Sequence, residues 1–184
     1  MKTHLFMAVS ALALTACGNS EQTTPDSAAT DTPSPDGDVG AEAAVPVTAQ
    51  GFVDKASASD LFEVEAGKLA ETNGKSQEVK DFGAMMVKDH TKSTADLKAA
   101  AAKVDGVTVA PALTPKQQAD LDALKSAGES FDSLYKTQQL AAHQEALALL
   151  QTFAAEGEAA PLKDFAGKTA PVVQAHLEHV QTLP

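Results

Sequence analysis

The sequence predicts an all-α fold: four long helices and one shorter crossover helix, carried behind a leader and an acidic linker. Three observations predict it. From Gly51 to Pro184 the chain is rich in alanine and leucine, its helix breakers gather at a few points, and between them apolar residues recur every three or four positions. No alternating stretch long enough for a strand competes, and Val107-Thr108-Val109 reads as loop.

The N-terminal element opens with Lys2 and His4, ahead of an apolar run from Leu5 to Leu14 that is too short to span a bilayer and reads as a secretory leader. The run ends in Leu14-Thr15-Ala16-Cys17, followed by Gly18. This string is similar to the lipobox of bacterial lipoproteins, where the cysteine thiol receives a diacylglyceryl group, the leader is cut before it, and the new amine is acylated. Residues 1–16 are then the signal peptide and Cys17 the lipid attachment site. A single cysteine in an exported protein has no intramolecular disulfide partner, and lipidation consumes the otherwise reactive thiol. A multiply acylated terminus holds firmly to a membrane. Gly18, in place of an aspartate, favours the outer membrane facing the periplasm under the enterobacterial sorting pattern.

Residues 17–50 form the linker. Past Cys17 it holds Glu21, Asp26, Asp31, Asp36, Asp38 and Glu42, several prolines, and neither lysine nor aromatic residue. Such a composition buries too little apolar surface to offset the entropy of ordering, so a tether with an r.m.s. reach on the order of 30 Å is expected. The whole chain carries 14 basic against 25 acidic residues, a net charge of -11, and every basic residue is lysine. Without arginine forks and with an acidic balance, nucleic acid is excluded as the expected partner. The membrane is reached through the lipid at Cys17 alone, since no basic amphipathic surface assists.

Residues 51–184 make one domain, large enough for a single core. Asn73-Gly74, Asp105-Gly106 through Pro115, Gly128, and Gly157 through Pro161 divide it. Helices are expected near Phe52 to Thr72, Ser76 to Val104, Thr114 to Ala127, Ser130 to Glu156, and Pro161 to Leu183. Thr114-Pro115-Lys116-Gln117 is a capping box with proline at the first helical position, and Pro161 stands where its missing N–H costs nothing.

The apolar stripe of the second helix runs Val79, Phe82, Met86, His90, Ser93, Leu97, Ala101 and Val104, which turns His90 inward. On the first helix Leu61 and Leu69 bracket Glu65, placing Glu65 on the buried stripe and Glu63 elsewhere. The fourth helix carries Phe131, Tyr135, Gln139, His143, Leu147, Leu150 and Phe153 on or beside one face. The last helix runs Leu162, Phe165, Thr169, Val172, His176, Val180 and Leu183, with His179 at the edge. Each long helix therefore offers one residue able to ligate a metal or carry a proton on the side that should be dry.

If Thr114 to Glu129 crosses over, the second and fourth helices run parallel, and His90 and His143 fall at one level. Glu65 and His176 then lie about 8 Å away at a rise of roughly 1.5 Å per residue, with side chains leaning back toward the histidine pair. One carboxylate and three imidazoles suit a single transition metal ion, zinc, copper or iron, with Tyr135, Gln139 and His179 as supporting donors. The other reading of the same residues is a hydrogen-bonded core network without metal. Met85 and Met86 read as packing. Pro171, inside the last helix, removes one backbone bond and is expected to kink the chain just before His176.

In order along the chain, Glu63-Val64-Glu65-Ala66-Gly67-Lys68-Leu69-Ala70, Phe82-Gly83 with Met86-Val87-Lys88-Asp89-His90, Tyr135 with His143, and Pro171 with His176-Leu177 resemble the motifs of a bacterial envelope family of unknown function with a ferritin-like four-helix fold. The resemblance covers nearly all of residues 51–184. It implies a helical bundle exported to the periplasm or outer membrane, with no reaction assigned. Ferritin-type di-iron chemistry is not expected, because no acidic residue stands three before any of the helical histidines. Phosphate-binding glycine loops, Gly-x-Ser-x-Gly and His-Glu-x-x-His are also absent from the sequence, so an enzymatic role finds no motif. The expectation is a lipid-anchored envelope protein whose bundle binds one metal. The alternatives are a structural or partner-binding bundle without metal and a metal-dependent redox enzyme.

Overall fold

The computed structural model describes residues 47–184, which form five α-helices joined by turns, with no strand among the described residues. The leader, Cys17 and the linker through Pro46 lie outside the described residues.

Helix α1 (Ala49–Asn73) starts two residues before Gly51, because Thr48 caps it by accepting a hydrogen bond from the Gly51 amide at 3.1 Å. Its early residue Gln50 fixes a distant loop. The Gln50 amide nitrogen donates to the Thr108 carbonyl at 2.9 Å, and its oxygen accepts from the Thr108 N–H at 3.0 Å. Thr108 thereby finds its backbone partners on a side chain, and Val107-Thr108-Val109 stays loop as expected.

Helix α2 (Gln77–Ala101) ends short of Val104, in a turn that leads to Gly106 at φ 76°. Ser76 caps its start by accepting from Val79 at 3.2 Å. A carboxylate from far along the chain joins it: Asp132 accepts from the backbone amides of Lys75 and Ser76, each at 2.8 Å. These amide bonds outweigh the cost of partial burial and hold Asp132 below the usual carboxylate range. An anion on two free amides at a helix start contributes about 1–2 kcal/mol.

Helix α3 (Pro115–Ser126) begins at the expected capping box, with Thr114 accepting from the Gln117 amide and Gln117 accepting from the Thr114 amide. A short 3₁₀ turn (Gly128–Ser130), opened by Gly128 at φ 55°, leads into helix α4 (Phe131–Glu156), and helix α5 (Ala160–Thr182) closes the chain. Pro171 does not interrupt α5. Both Pro171 and Gly167, whose carbonyl it frees, are exposed, so the lost bond lies on the solvent side of the helix.

Helix α1 packs along α2 and α4 along α5, while α1 also meets α4 and α2 meets α5. Helix α3 lies across α1 and α4. Three contacts give the directions. The Asp132 cap puts the start of α4 beside the start of α2. Phe52, early in α1, stacks on Phe153, late in α4, with centroids 4.0 Å apart, and Lys136 near the start of α4 donates to the Leu183 carbonyl just after α5. Helices α2 and α4 therefore run parallel, with α3 between them in the chain.

The α1–α2 contact is made through glycine. A Cβ on Gly67 would lie 2.6 Å from the Gly83 carbonyl oxygen, and one on Gly83 would lie 2.7 Å from the Gly67 carbonyl oxygen. Helices that approach this closely bury small residues at the contact, here Gly67 and Ala70 against Gly83, and the buried side of α1 continues through Ala56, Asp60, Glu63 and Ala66 beside the larger Phe52, Val53 and Phe62. Leu61 and Leu69 lie at its margin. The sequence expectation for Glu65 is corrected here: its side chain is 43 % exposed and pairs with Lys68 at 2.7 Å, while Glu63 is buried. A similar shift of phase occurs on α5, where Val172 is exposed and Val173 takes the core position.

The apolar interior is split into two clusters. One holds Phe62, Phe82, Met86, Phe131, Tyr135, Leu177 and Val180, and the other Phe52, Leu97, Leu150, Phe153, Leu162 and Phe165. Between them, at mid-height, Asp60, Glu63, His90, Gln139, His143 and His176 are all buried. A polar layer through the middle of a hydrophobic core costs stability unless its groups are paired, which marks this layer as the place to look for function.

Candidate metal centre

Three of the four expected ligands meet in this layer. The rings of His90 on α2, His143 on α4 and His176 on α5 stand 5.8, 5.6 and 5.6 Å apart by centroid. The level difference of about 8 Å expected for His176 is closed by the opposite lean of side chains on antiparallel helices. One ring nitrogen from each residue lies within 4.8 Å of the other two.

Each ring is aimed by a bond on its other nitrogen. His90 Nδ1 donates to Asp60 Oδ1 at 2.8 Å, and Asp60 is held in turn by the Thr94 hydroxyl at 3.2 Å. His143 Nδ1 donates to the Gln139 backbone carbonyl at 2.9 Å, one helical turn back. His176 Nε2 donates to Asp89 Oδ2 at 3.2 Å. This leaves His90 Nε2, His143 Nε2 and His176 Nδ1 buried and without a hydrogen-bond partner. Imidazoles fixed by a carboxylate or carbonyl on one nitrogen, with the other bare, are the arrangement by which proteins present histidine to a metal.

The carboxylate belongs to Glu63, which is 1 % exposed and has Oε2 unpartnered. Its Oε1 lies 3.6 Å from His143 Nδ1. Burial pushes its carboxyl up to about 7, against the opposing pull of His90. Burial, then the charge of His90, holds His143 down at about 4, and the same two causes together with His143 hold His176 at about 4. Burial acts downward on His90 as well, but the Asp60 hydrogen bond and the charges of Glu63, Asp60 and Asp89 outweigh it and raise His90 above its ordinary value. Near neutral pH the free nitrogens of His143 and His176 therefore carry lone pairs, while Glu63 titrates in that range and His90 holds its second proton more tightly than an ordinary imidazole.

Gln139 and Tyr135 stand one and two turns before His143 on the same buried face of α4; the Tyr135 hydroxyl has no partner, and the Gln139 amide lies toward the Glu63 carboxylate without a formed hydrogen bond. Burial and the charges of Glu63 and Glu71 push the Tyr135 hydroxyl well above its ordinary range. The expected supporting role of His179 is not met: it is exposed, and its ring sits edge-on against Phe82 with centroids 5.2 Å apart.

Asp60, Glu63 and Asp89 are the site residues that apolar periodicity overlooks. On α1 the usable signal is the run of small residues, Ala56, Gly67 and Ala70, in phase with Asp60 and Glu63. A larger groove of about 500 Å³, lined by Lys55, Phe62, Lys116, Gln138 and Leu149 among others, opens elsewhere and touches none of the histidines.

Residues 34–183 match the model of a family described as Domain of unknown function (DUF4142). No curated protein and no solved structure matches the chain.

Proposed function

We infer the role of this chain from the premise that it belongs to the DUF4142 family, a domain of unknown function. We propose that its helices form a ferritin-like four-helix bundle with α3 as crossover, and that the bundle binds one transition metal ion, zinc, copper or iron, through His90, His143, His176 and Glu63. The observation that carries this reading is the set of three histidine nitrogens left bare in a dry layer, each ring held from behind. One ring nitrogen of each histidine lies within 4.8 Å of those of the other two, and a point equidistant from three such atoms is about 2.8 Å from each, so inward movements of under about 1 Å reach an ordinary metal–imidazole bond. A purely hydrogen-bonded network would pair these atoms with one another, and they are unpaired.

Protonation supplies the test. Glu63, at about 7, must release its proton to ligate, and so must His90, whereas His143 and His176 at about 4 are already neutral. Metal affinity is expected to rise with pH from 5 toward 7. In Glu63→Gln the affinity falls and the slope with pH loses one proton. The same substitution acts oppositely on the metal-free fold. A raised carboxyl contributes stability that is full below pH 4.5 and is lost as pH rises through about 7. Glu63→Gln should therefore be more stable than the parent above pH 7, by up to roughly 3 kcal/mol. Urea melts of both metal-free proteins at pH 5 and 8 and isothermal titration with zinc measure the two signs; an affinity unchanged by the substitution removes Glu63 from the ligand set.

We propose further that the domain is held in the bacterial envelope by lipid on Cys17. Support comes from Leu14-Thr15-Ala16-Cys17 behind an apolar leader and from the absence of any other cysteine in the sequence. Among the described residues no helix is long and apolar enough to cross a membrane, and Val172 is the exposed large hydrophobic side chain. Cys17→Ala is expected to shift the folded domain from the membrane fraction to the soluble one. Retention of the variant on the membrane would show that something besides the lipid holds it.

A further inference from the structure

The unpaired atoms of the polar layer outnumber what a metal can take up. Glu63 Oε2, His90 Nε2, His143 Nε2 and His176 Nδ1 are the four donors of the proposed centre. The Tyr135 hydroxyl and both polar atoms of the Gln139 side chain remain, all buried, and none of them belongs to a usual ligand of these metals in such a site. Both side chains are fully enclosed, at 0 % exposure, and share the α4 face with His143. Buried hydroxyl and amide groups in folded proteins are hydrogen-bonded with few exceptions. The Glu63 carboxylate is near both: the Gln139 amide lies close enough to pull its carboxyl down, short of a formed hydrogen bond, and its charge pushes the Tyr135 hydroxyl up.

We propose that the metal centre is open: that it keeps one coordination position for a small, non-protein ligand with an oxygen or nitrogen donor atom, and that Tyr135 and Gln139 hold this ligand by hydrogen bonds. The inference rests on the metal reading above and adds its ligand class. Iron held by imidazoles and a carboxylate keeps open positions, and zinc, closed by four protein ligands at rest, expands to five when a further ligand binds. A hydroxyl and an amide N–H are donors suited to a metal-bound hydroxide, a diatomic oxygen species or a small anion, while the amide oxygen can accept from bound water. Size is limited as well. Tyr135 and Gln139 are fully enclosed, and the cavity of about 20 Å³ beside His90 reaches neither of them, so only a ligand of a few atoms can enter the layer.

Azide and imidazole distinguish an open but small position from a closed site. The full chain is loaded with cobalt(II), and one-to-one loading is established first by metal analysis, so that failure of the metal reading shows before any ligand is added. Azide is then expected to shift the visible cobalt bands saturably, whereas imidazole leaves them unchanged. Tyr135→Phe, which keeps the ring and its packing, should bind cobalt as the parent does and azide about tenfold more weakly, the usual effect of losing one hydrogen bond. Gln139→Leu should act in the same direction. Cobalt bands indifferent to azide in a fully loaded protein overturn the proposal and leave the metal site standing. Equal azide affinity in Tyr135→Phe and Gln139→Leu overturns the assignment of these two residues.

Discussion

Zinc added to the metal-stripped full chain at a hundredfold excess over its dissociation constant is expected to raise the melting temperature by about 10 °C, and His143→Ala to abolish that rise. The size follows from linkage. A ligand at that excess stabilises the folded state by roughly 3 kcal/mol, and a domain of this length moves about 3–4 °C per kcal/mol. His143 is the preferred ligand to remove because its Nδ1 partner is a backbone carbonyl, so its loss breaks no hydrogen bond to a buried carboxylate. His90→Ala would leave Asp60 inside the core without its partner. The reading is the difference with and without zinc in each variant, which cancels the cavity cost of the missing ring. Glu65→Ala, on the exposed side of α1, should keep the full rise. No rise in the parent with zinc, copper or iron, or an undiminished rise in His143→Ala, defeats the proposed centre.

Gly67→Ala is expected to destabilise the domain by about 2–4 kcal/mol, although glycine to alanine inside a helix ordinarily gains up to about 1 kcal/mol. The added methyl would meet the Gly83 carbonyl at 2.6 Å and a Val87 methyl at 3.0 Å. A helical carbonyl cannot turn aside, so α1 and α2 must separate. The same separation would stretch the Asp60–His90 bond and move Glu63, and zinc affinity should fall even though Gly67 touches no ligand. Gly167→Ala provides the contrast. Nothing lies within 4 Å of its added methyl, and the intrinsic helix gain should appear there undiminished. Urea unfolding of the two variants at neutral pH gives opposite signs if the α1–α2 approach is as close as described; a stabilised Gly67→Ala would disprove it.

The legible parts of the fold were those written in local chemistry. Thr114 through Gln117 announces its helix start, Gly106 and Gly128 sit where the backbone needs positive φ, and His90, His143 and His176 keep strict phase with large apolar neighbours. On α1 that phase misleads. Leu61 and Leu69 are the heaviest apolar residues near Glu65, yet closeness to α2 selects the smallest side chains, and the stripe through Gly67 carries Glu63 inward instead. Val172 and Val173 on α5 are adjacent and chemically equal, so only the packing partner chooses between them.

Sequence alone determined that this chain makes amphipathic helices separated by turns, and that three of those helices bring a histidine to the core, because helix period and capping depend on residues within a turn of one another. The tertiary structure decided which carboxylate joins them, how far apart the rings stand, and which nitrogen of each is spent on Asp60, Gln139 or Asp89. Those quantities arise between helices. They depend on an interhelical distance set by two glycines and on the contact that sets the start of α4 beside the start of α2, neither of which is contained in the period of any single segment.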